Sequence, residues 1–310
     1  MPKTNYRVGT RGSLLALTQT RQFTGALKAL HPELELEEVL IQTEGDISTL
    51  PLNQSTTPGL FVSALRDSLL ENKVDFIVHS MKDLPANPHP QISTACVPVR
   101  QDSRDGLVSR GNLTLEQLAP GALVGTSSPR RAASLRRARP DLKITSIRGN
   151  IDTRISKVLR GEYDATLLAM AGLNRIGKSE LVCQIFDDLD FVPAAGQGAL
   201  SIECRADEMQ LVALLAELDD AHTRIVTTAE RSVLIGLDAG CATAIGAVAS
   251  FNDGQLKLTA ELAVEDTGEA EKVELEIFAD LHDWAAARGL GLRAAELLLK
   301  SQLAKKAAWK

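Results

Sequence analysis

Apolar and polar positions along the chain alternate between two periods. YRVGT (6–10) reads as a short strand. Behind Ser13, apolar residues at 14, 17, 23, 27 and 30 fall near helical spacing, so 13–30 is expected to be a helix with Ser13 as its N-cap. LELEEVLIQT (34–43) predicts a second strand, LFVSALRDSLLENK (60–73) an amphipathic helix, and the apolar run DFIVHS (75–80) another strand. Strands alternating with helices of this length predict a helix-covered sheet with parallel members.

The rhythm restarts beyond ISTACVPVRQDSRDG. Strands are expected at 105–109 and 123–127. SPRRAASLRRARP (128–140) predicts a helix, with Ser128 as N-cap, Pro129 in the first turn and Pro140 as the stop. A strand at 143–148, a helix at 153–161 and a strand at 164–170 complete a second α/β unit. The polar stretch 99–104 is a candidate hinge. FVPAAGQGALSIECR (191–205) is read as a return crossing that turns strand-like. After helices at 207–219 and 223–237, AIGAVASF-NDG-QLKLTAELAV predicts a hairpin around Asn252-Asp253-Gly254, and an Ala/Leu-rich helix closes a small α+β region.

The 310 residues suffice for two or three domains. A net charge of −6 and 4% aromatic residues argue against nucleic acid or an acidic membrane as partner, which makes a local basic cluster informative. No apolar run reaches membrane-spanning length. MPKTNYRVGT lacks the apolar core of a secretory signal, and the four scattered cysteines form no CxxC pair, so a reduced, cytoplasmic protein is expected.

Arginine supplies the densest chemical signal. Arg130 and Arg131 occupy the first turn of a helix, where cations oppose the helix dipole and an anion is expected to compensate them. Arg148 and Arg154 flank another strand-to-helix junction, and such forks converging at strand ends suit carboxylates or phosphates. Arg136, Arg137 and Arg139 are expected on a solvated helix face. VHSMKDLP (78–85) sets Ser80, Lys82 and Asp83 at the end of an apolar strand, where open α/β sheets bind ligands. Arg11 and Ser13 lie at a similar junction that lacks both GxGxxG and a P-loop lysine. FDDLD (186–190) reads as a wet loop rather than a metal site. Cys241, in a loop of small residues, is a nucleophile, an anchor or an incidental thiol.

Taken in order, RGSLLALTQ, TEGD, GLF, VHSMKDLP, GTSSPRR, RGNIDTR, LLAMAGLNRIG, PAAGQGALSIECR and ERSVL with AGC make the chain resemble the porphobilinogen deaminase (hydroxymethylbilane synthase) family. The resemblance implies an α/β fold of two type-II periplasmic-binding-protein-like domains with mixed sheets flanking a cleft, plus a small α+β C-terminal domain. The expected boundaries are 1–98 with 199–218, then 99–198, then 219–310. It implies a dipyrromethane cofactor held by a thioether to Cys241, and head-to-tail condensation of four porphobilinogen molecules with loss of ammonia, followed by hydrolytic release of the linear product. A monomer is implied, and no metal.

By the same resemblance Asp83 is catalytic. Ser80, Lys82, Asp83, Thr126, Ser128, Arg130, Arg131, Arg148 and Gly149 bind the cofactor. Arg11, Ser13, Arg148, Arg154, Arg175 and Gln197 bind substrate or the growing chain. The hinges at 99–104 and 194–199 would let the cleft widen as it fills. The sequence departs from the family pattern at Pro58 and Ser63, where lysines are common, and at Ala239 and Ala244 around the anchoring cysteine. A non-catalytic or weakened cytosolic paralogue that binds small carboxylates or pyrroles is the competing expectation.

Overall fold

Apolar strands covered on both faces build two five-stranded sheets, and a three-stranded antiparallel sheet follows among the described residues. A computed structural model of the chain describes residues 3–42, 62–238, 244–301 and 303–304. In chain order its elements are β1 (Asn5–Thr10), α1 (Leu14–Leu30), β2 (Glu35–Leu40), α2 (Ser63–Leu70), β3 (Phe76–Ser80), β4 (Ile92–Cys96), β5 (Asp105–Ser109) and β6 (Leu123–Gly125). There follow α3 (Pro129–Ala138), β7 (Lys143–Thr145), α4 (Ile151–Leu159), β8 (Ala165–Ala169), α5 (Met170–Arg175), β9 (Gln184–Ile185), β10 (Leu200–Arg205) and α6 (Met209–Ala216). Last come α7 (Ala221–Gly236), β11 (Ile245–Asn252), β12 (Gln255–Ala263), β13 (Ala270–Phe278) and α8 (Trp284–Lys300). The chain divides into two compact units, one running to Arg100 with Ala199–Arg224, the other Gln101–Gly198 with the chain from Ile225 onward.

The first unit holds a five-stranded mixed sheet in the order β2-β1-β3-β10-β4. β1, β2 and β3 run parallel, and β10 returns antiparallel to both β3 and β4. Phe76 and Val78 face a core shared with Phe23 and Leu27 of α1 and Leu211 and Leu215 of α6, while Ile77 points to the opposite core with Leu65 and Leu69 of α2. A strand buried on both faces reads as a continuous apolar run, as DFIVHS does.

The second unit repeats this plan in a five-stranded sheet, order β7-β6-β8-β5-β9, with Leu107 and Leu167 packed on one face and Val108 and Leu168 on the other. It also contains the antiparallel sheet β11-β12-β13. One face of that sheet packs on α7 and α8 through Leu256, Leu258, Val233 and Leu298, while Glu271, Glu274 and Glu276 on β13 are exposed. Each of the two mixed sheets has the strand plan of a type-II periplasmic-binding-protein-like domain, and the small α+β region follows them in the chain. The hairpin forms as expected, Asn252 pairing with Gln255 across Asp253 and Gly254, both at positive φ. Strands β4 and β13 were not expected, although Val273, Leu275 and Ile277 alternate with exposed glutamates.

Candidate active site

In the first unit, parallel β1 and β3 are neighbours, so their C-terminal ends share one edge of the sheet. Beyond β1, Ser13 caps α1 by accepting from the Ala16 backbone N–H at 3.3 Å. Beyond β3, Met81–Asp83 makes one 3₁₀ turn. Met81 is buried against Val97 and Ala199, its N–H donates to the Ala199 carbonyl at 3.0 Å, and Leu84 is buried on the far side of the turn. Two apolar anchors therefore present the residues between them, Lys82 half-buried and Asp83 exposed. The Ser80 hydroxyl accepts from Gln19 Nε2 at 2.8 Å, an interaction that sequence reasoning missed.

His79 lies behind this turn, wholly buried. Burial pushes its imidazole down to about 4, while Glu203 draws it upward, Arg66 lowers it, and Asp83 raises and Arg11 lowers it more weakly. Asp83 and Arg11 are thus both within electrostatic reach of one ring. Glu203 takes two hydrogen bonds from Arg66, at 2.9 and 2.6 Å, and lies 3.6 Å from His79 Nε2. Nothing in the local sequence of β10 or α2 marks this pairing.

In the second unit, β7, β6 and β8 are parallel neighbours, and each feeds arginine into the loop or helix after it. Ser128 caps α3, with Pro129 in the first turn, and the Ser128 N–H donates to Thr126 Oγ1 at 3.2 Å. Thr126 is buried, its N–H bonded to the Thr145 carbonyl at 2.8 Å. Gly149, at φ 109°, has room for no side chain, since a Cβ there would lie 2.6 Å from Thr153 Cγ2. Its carbonyl accepts from Arg154 Nε at 2.8 Å. Arg175 Nη2 donates to the Gly198 carbonyl at 2.8 Å, and burial pushes this guanidinium down to about 10.

The anion expected beside Arg130 and Arg131 is partly the protein's own. Both side chains turn inward, where Asp105 receives Arg130 Nη2 at 2.8 Å and Arg131 Nη2 at 2.7 Å. Burial alone would raise the Asp105 carboxyl, but Arg130 and Arg131 hold it far below the usual carboxylate range. Gln197 is fully buried, its Nε2 donating to Asp105 and to the Ser103 carbonyl. Among the described residues, buried Arg131 Nε, Arg148 Nη2 and Arg175 Nε have no hydrogen-bond partner. Donors left so cost about 1–3 kcal/mol each, which suits a site that receives an anion.

Arg137 is exposed and Arg136 and Arg139 are half-buried, but none of the three is idle on that face. Arg137 pairs at 3.0 Å with Glu261, which is buried on β12. Arg139 donates to the carbonyls of Leu115, Glu116 and Leu118, and Arg136 to that of Glu265. Helical position alone could not reveal these acceptors, which arrive from distant segments.

Two family models match the chain: "Porphobilinogen deaminase, dipyromethane cofactor binding domain" over residues 6–213, and "Porphobilinogen deaminase, C-terminal domain" over residues 224–300. The chain belongs to the porphobilinogen deaminase family. It is similar to the porphobilinogen deaminase of Mycobacterium tuberculosis, 49% identical over 78% of this chain and 78% of the relative, and to that of Mycolicibacterium gilvum, 48% identical over 78% and 77%. Among solved structures it is similar to the BenM effector binding domain with benzoate (TM-score 0.43, 16% identity, 70% of this chain and 91% of that one). An ancestral arginine-binding protein gives TM-score 0.41 and 14% identity over 70% and 91%.

The family's dipyrromethane carries carboxylates, and the unpartnered guanidinium nitrogens of Arg131, Arg148 and Arg175 fit such a group. Of the departures from the porphobilinogen deaminase pattern, Ala244 is buried against Ala133, Ala263 and Ala270, so an alanine fits this tight contact. Ser63 opens α2. Cys241, Ala239, Pro58 and the 44–58 loop lie outside the described residues. No helix among the described residues is long and apolar enough to cross a membrane, and no metal-binding cluster occurs among them.

Proposed function

We propose that the chain is a hydroxymethylbilane synthase. It condenses four porphobilinogen molecules head to tail with loss of ammonia on a covalently bound dipyrromethane primer, then releases the linear product by hydrolysis. The observation that carries this is the pair of family matches, which together span 6–213 and 224–300. Cys241 is the proposed thioether anchor, and the bound dipyrromethane supplies the pyrrole carbon to which the first incoming ring is joined. A monomer working in the cytoplasm, with domains 1–98 plus 199–218, 99–198 and 219–310, completes the reading.

Asp83 is assigned the chemistry because it is the exposed carboxylate of an anchored turn. Loss of ammonia from the substrate leaves a cationic pyrrole. A carboxylate about 4 Å from that charge contributes roughly 4 kcal/mol at an effective dielectric near 20. Realised only in the transition state, this amounts to about a thousandfold in rate. The same carboxylate can take the proton released as the ring regains aromaticity. Lys82, Ser80, Thr126, Ser128, Arg130, Arg131, Arg148 and Gly149 are proposed to hold the primer. Arg11, Ser13, Arg148, Arg154 and Arg175 are proposed to serve the incoming ring and the growing chain, and Gln197, fully buried, to do so from behind Asp105. Charge-assisted hydrogen bonds contribute about 1.5–3 kcal/mol each, enough for several together to retain an intermediate through successive additions.

Gly198 supports the hinge reading of 99–104 and 194–199. Gly198 itself meets the other crossing closely: Gln101 N–H donates to the Gly198 carbonyl, and a Cβ on Gly198 would lie 2.3 Å from the Gln101 carbonyl oxygen. Intact-mass measurement tests the whole reading. The purified protein should be heavier than its polypeptide by two pyrrole units, give a red colour with Ehrlich's reagent, and release ammonia from porphobilinogen. A bare polypeptide mass together with carboxylate binding and no ammonia release would instead identify a non-catalytic binder.

A further inference from the structure

Asp105, at the start of β5, is wholly buried and distributes its two oxygens between two guanidinium groups, Oδ1 to Arg131 and Oδ2 to Arg130. Gln197 Nε2 donates a further bond to Oδ1 at 2.8 Å. The remaining Nη1 groups are bonded to backbone, Arg130 to the Val192 carbonyl at 2.9 Å and Arg131 to the Leu167 carbonyl at 3.0 Å. Every one of these partners belongs to the second unit.

In the first unit Arg66 and Glu203 form a one-to-one pair. Here one carboxylate faces two buried guanidinium groups, and a surplus buried charge is costly until another anion answers it. Arg131 Nε has no hydrogen-bond partner among the described residues. Arg175 Nε is in the same condition, and that side chain is bonded to Gly198, the neighbour of Gln197. The orientation of the arginine pair is therefore set from behind, while donor capacity is left over.

We propose that Asp105 is the positioning residue of the arginine pair: it locks both forks in one orientation and leaves guanidinium donor capacity, including Arg131 Nε, for a ligand carboxylate to take up. This rests on the reading that Arg130 and Arg131 hold the carboxylates of the primer. Gln197 is the support of Asp105, tying it to the crossing that contains Gly198.

The test uses the full-length chain with Asp105→Asn, Gln197→Met, and Asp105→Asn combined with Arg131→Gln, which restores the charge count. Intact mass before and after incubation with porphobilinogen gives the fraction of loaded molecules and the rings added, and thermal melting is followed in parallel. Asp105→Asn is expected to reduce the loaded fraction and to slow turnover per loaded molecule at least about 100-fold, and Gln197→Met to slow it about tenfold. The combined variant is expected to regain melting temperature without regaining turnover. Wild-type loading and turnover in Asp105→Asn would overturn the proposal, as would recovery of both melting and turnover in the combined variant. Should Asp105→Asn fail to fold, Gln197→Met decides, and wild-type loading and turnover there overturns it. A wild-type chain lacking the mass increment overturns the underlying reading, and the role of Asp105 with it.

Discussion

The two mixed sheets share one strand plan, β2-β1-β3-β10-β4 against β7-β6-β8-β5-β9, yet the ends of their parallel strands carry opposite chemistry. In the first unit the exposed group is an acid, Asp83, and the charge pair behind it is matched, half-buried Arg66 with buried Glu203. In the second the corresponding ends carry buried or half-buried arginines, with Asp105, among the described residues, as the carboxylate bonded to the Arg130–Arg131 pair. A shared scaffold thus presents an exposed carboxylate in one place and a set of buried and half-buried guanidinium groups in the other, and the proposed proton acceptor and anion-binding lining follow from that difference. The difference lies in the residues that follow each strand, not in the strands.

Substitutions that strike one half should separate these roles. Cys241→Ser is expected to have the largest effect, removing the mass increment and all turnover. Because a bound polyanion would satisfy the unpartnered arginines, the variant should also melt several degrees below wild type, about 2–4 °C per kcal/mol in a chain of this size. Equal melting temperatures would break the claim that the second half awaits an anion. Asp83→Asn should keep the increment and lower kcat about a thousandfold, with a melting temperature close to wild type because the side chain is exposed. A fully active Asp83→Asn protein would remove the catalytic role from the first half.

Smaller effects bear on the interior of the first unit. Glu203→Gln leaves Arg66 buried without its counter-charge and should lower stability by about 3–5 kcal/mol, read as a reduced denaturant midpoint at unchanged slope. His79 predicts a pH effect. Its folded pKa of about 4 lies below the unfolded value of 6.5, so the unfolded chain binds more protons between those values. The stability it contributes is present above pH 6.5 and is lost as pH falls toward 4, by about 3 kcal/mol in all. Denaturant titrations of His79→Gln should show a flatter dependence across that window, and an unchanged slope would exclude His79 as the titrating group.

Much of the fold was legible from local pattern. Ser13 and Ser128 cap the helices they were expected to cap, DFIVHS is a buried strand, and Asn252-Asp253-Gly254 closes a hairpin. These features depend on hydrogen bonds and side-chain periodicity within a few residues, which the sequence displays directly. The motif order displayed the family in the same way. Strand β4 was missed because ISTAC is short and its partner β10 lies over 100 residues away. The acceptors of Arg136, Arg137 and Arg139 were not legible for a related reason, since they come from β12, the 264–269 turn and the 115–118 segment.

By itself the sequence determined the alternation of elements, the caps and turns, and the set of acids and arginines to which the chemistry is assigned by proposal. Tertiary structure alone decided which of those charges are already answered inside the protein. Asp105 meets Arg130 and Arg131 across some 25 residues of chain, and Glu203 meets Arg66 across 137, so neither pairing has a local signature. Coulombic and hydrogen-bonding partners are chosen by distance in space and by burial, and both come into being only when the sheets assemble.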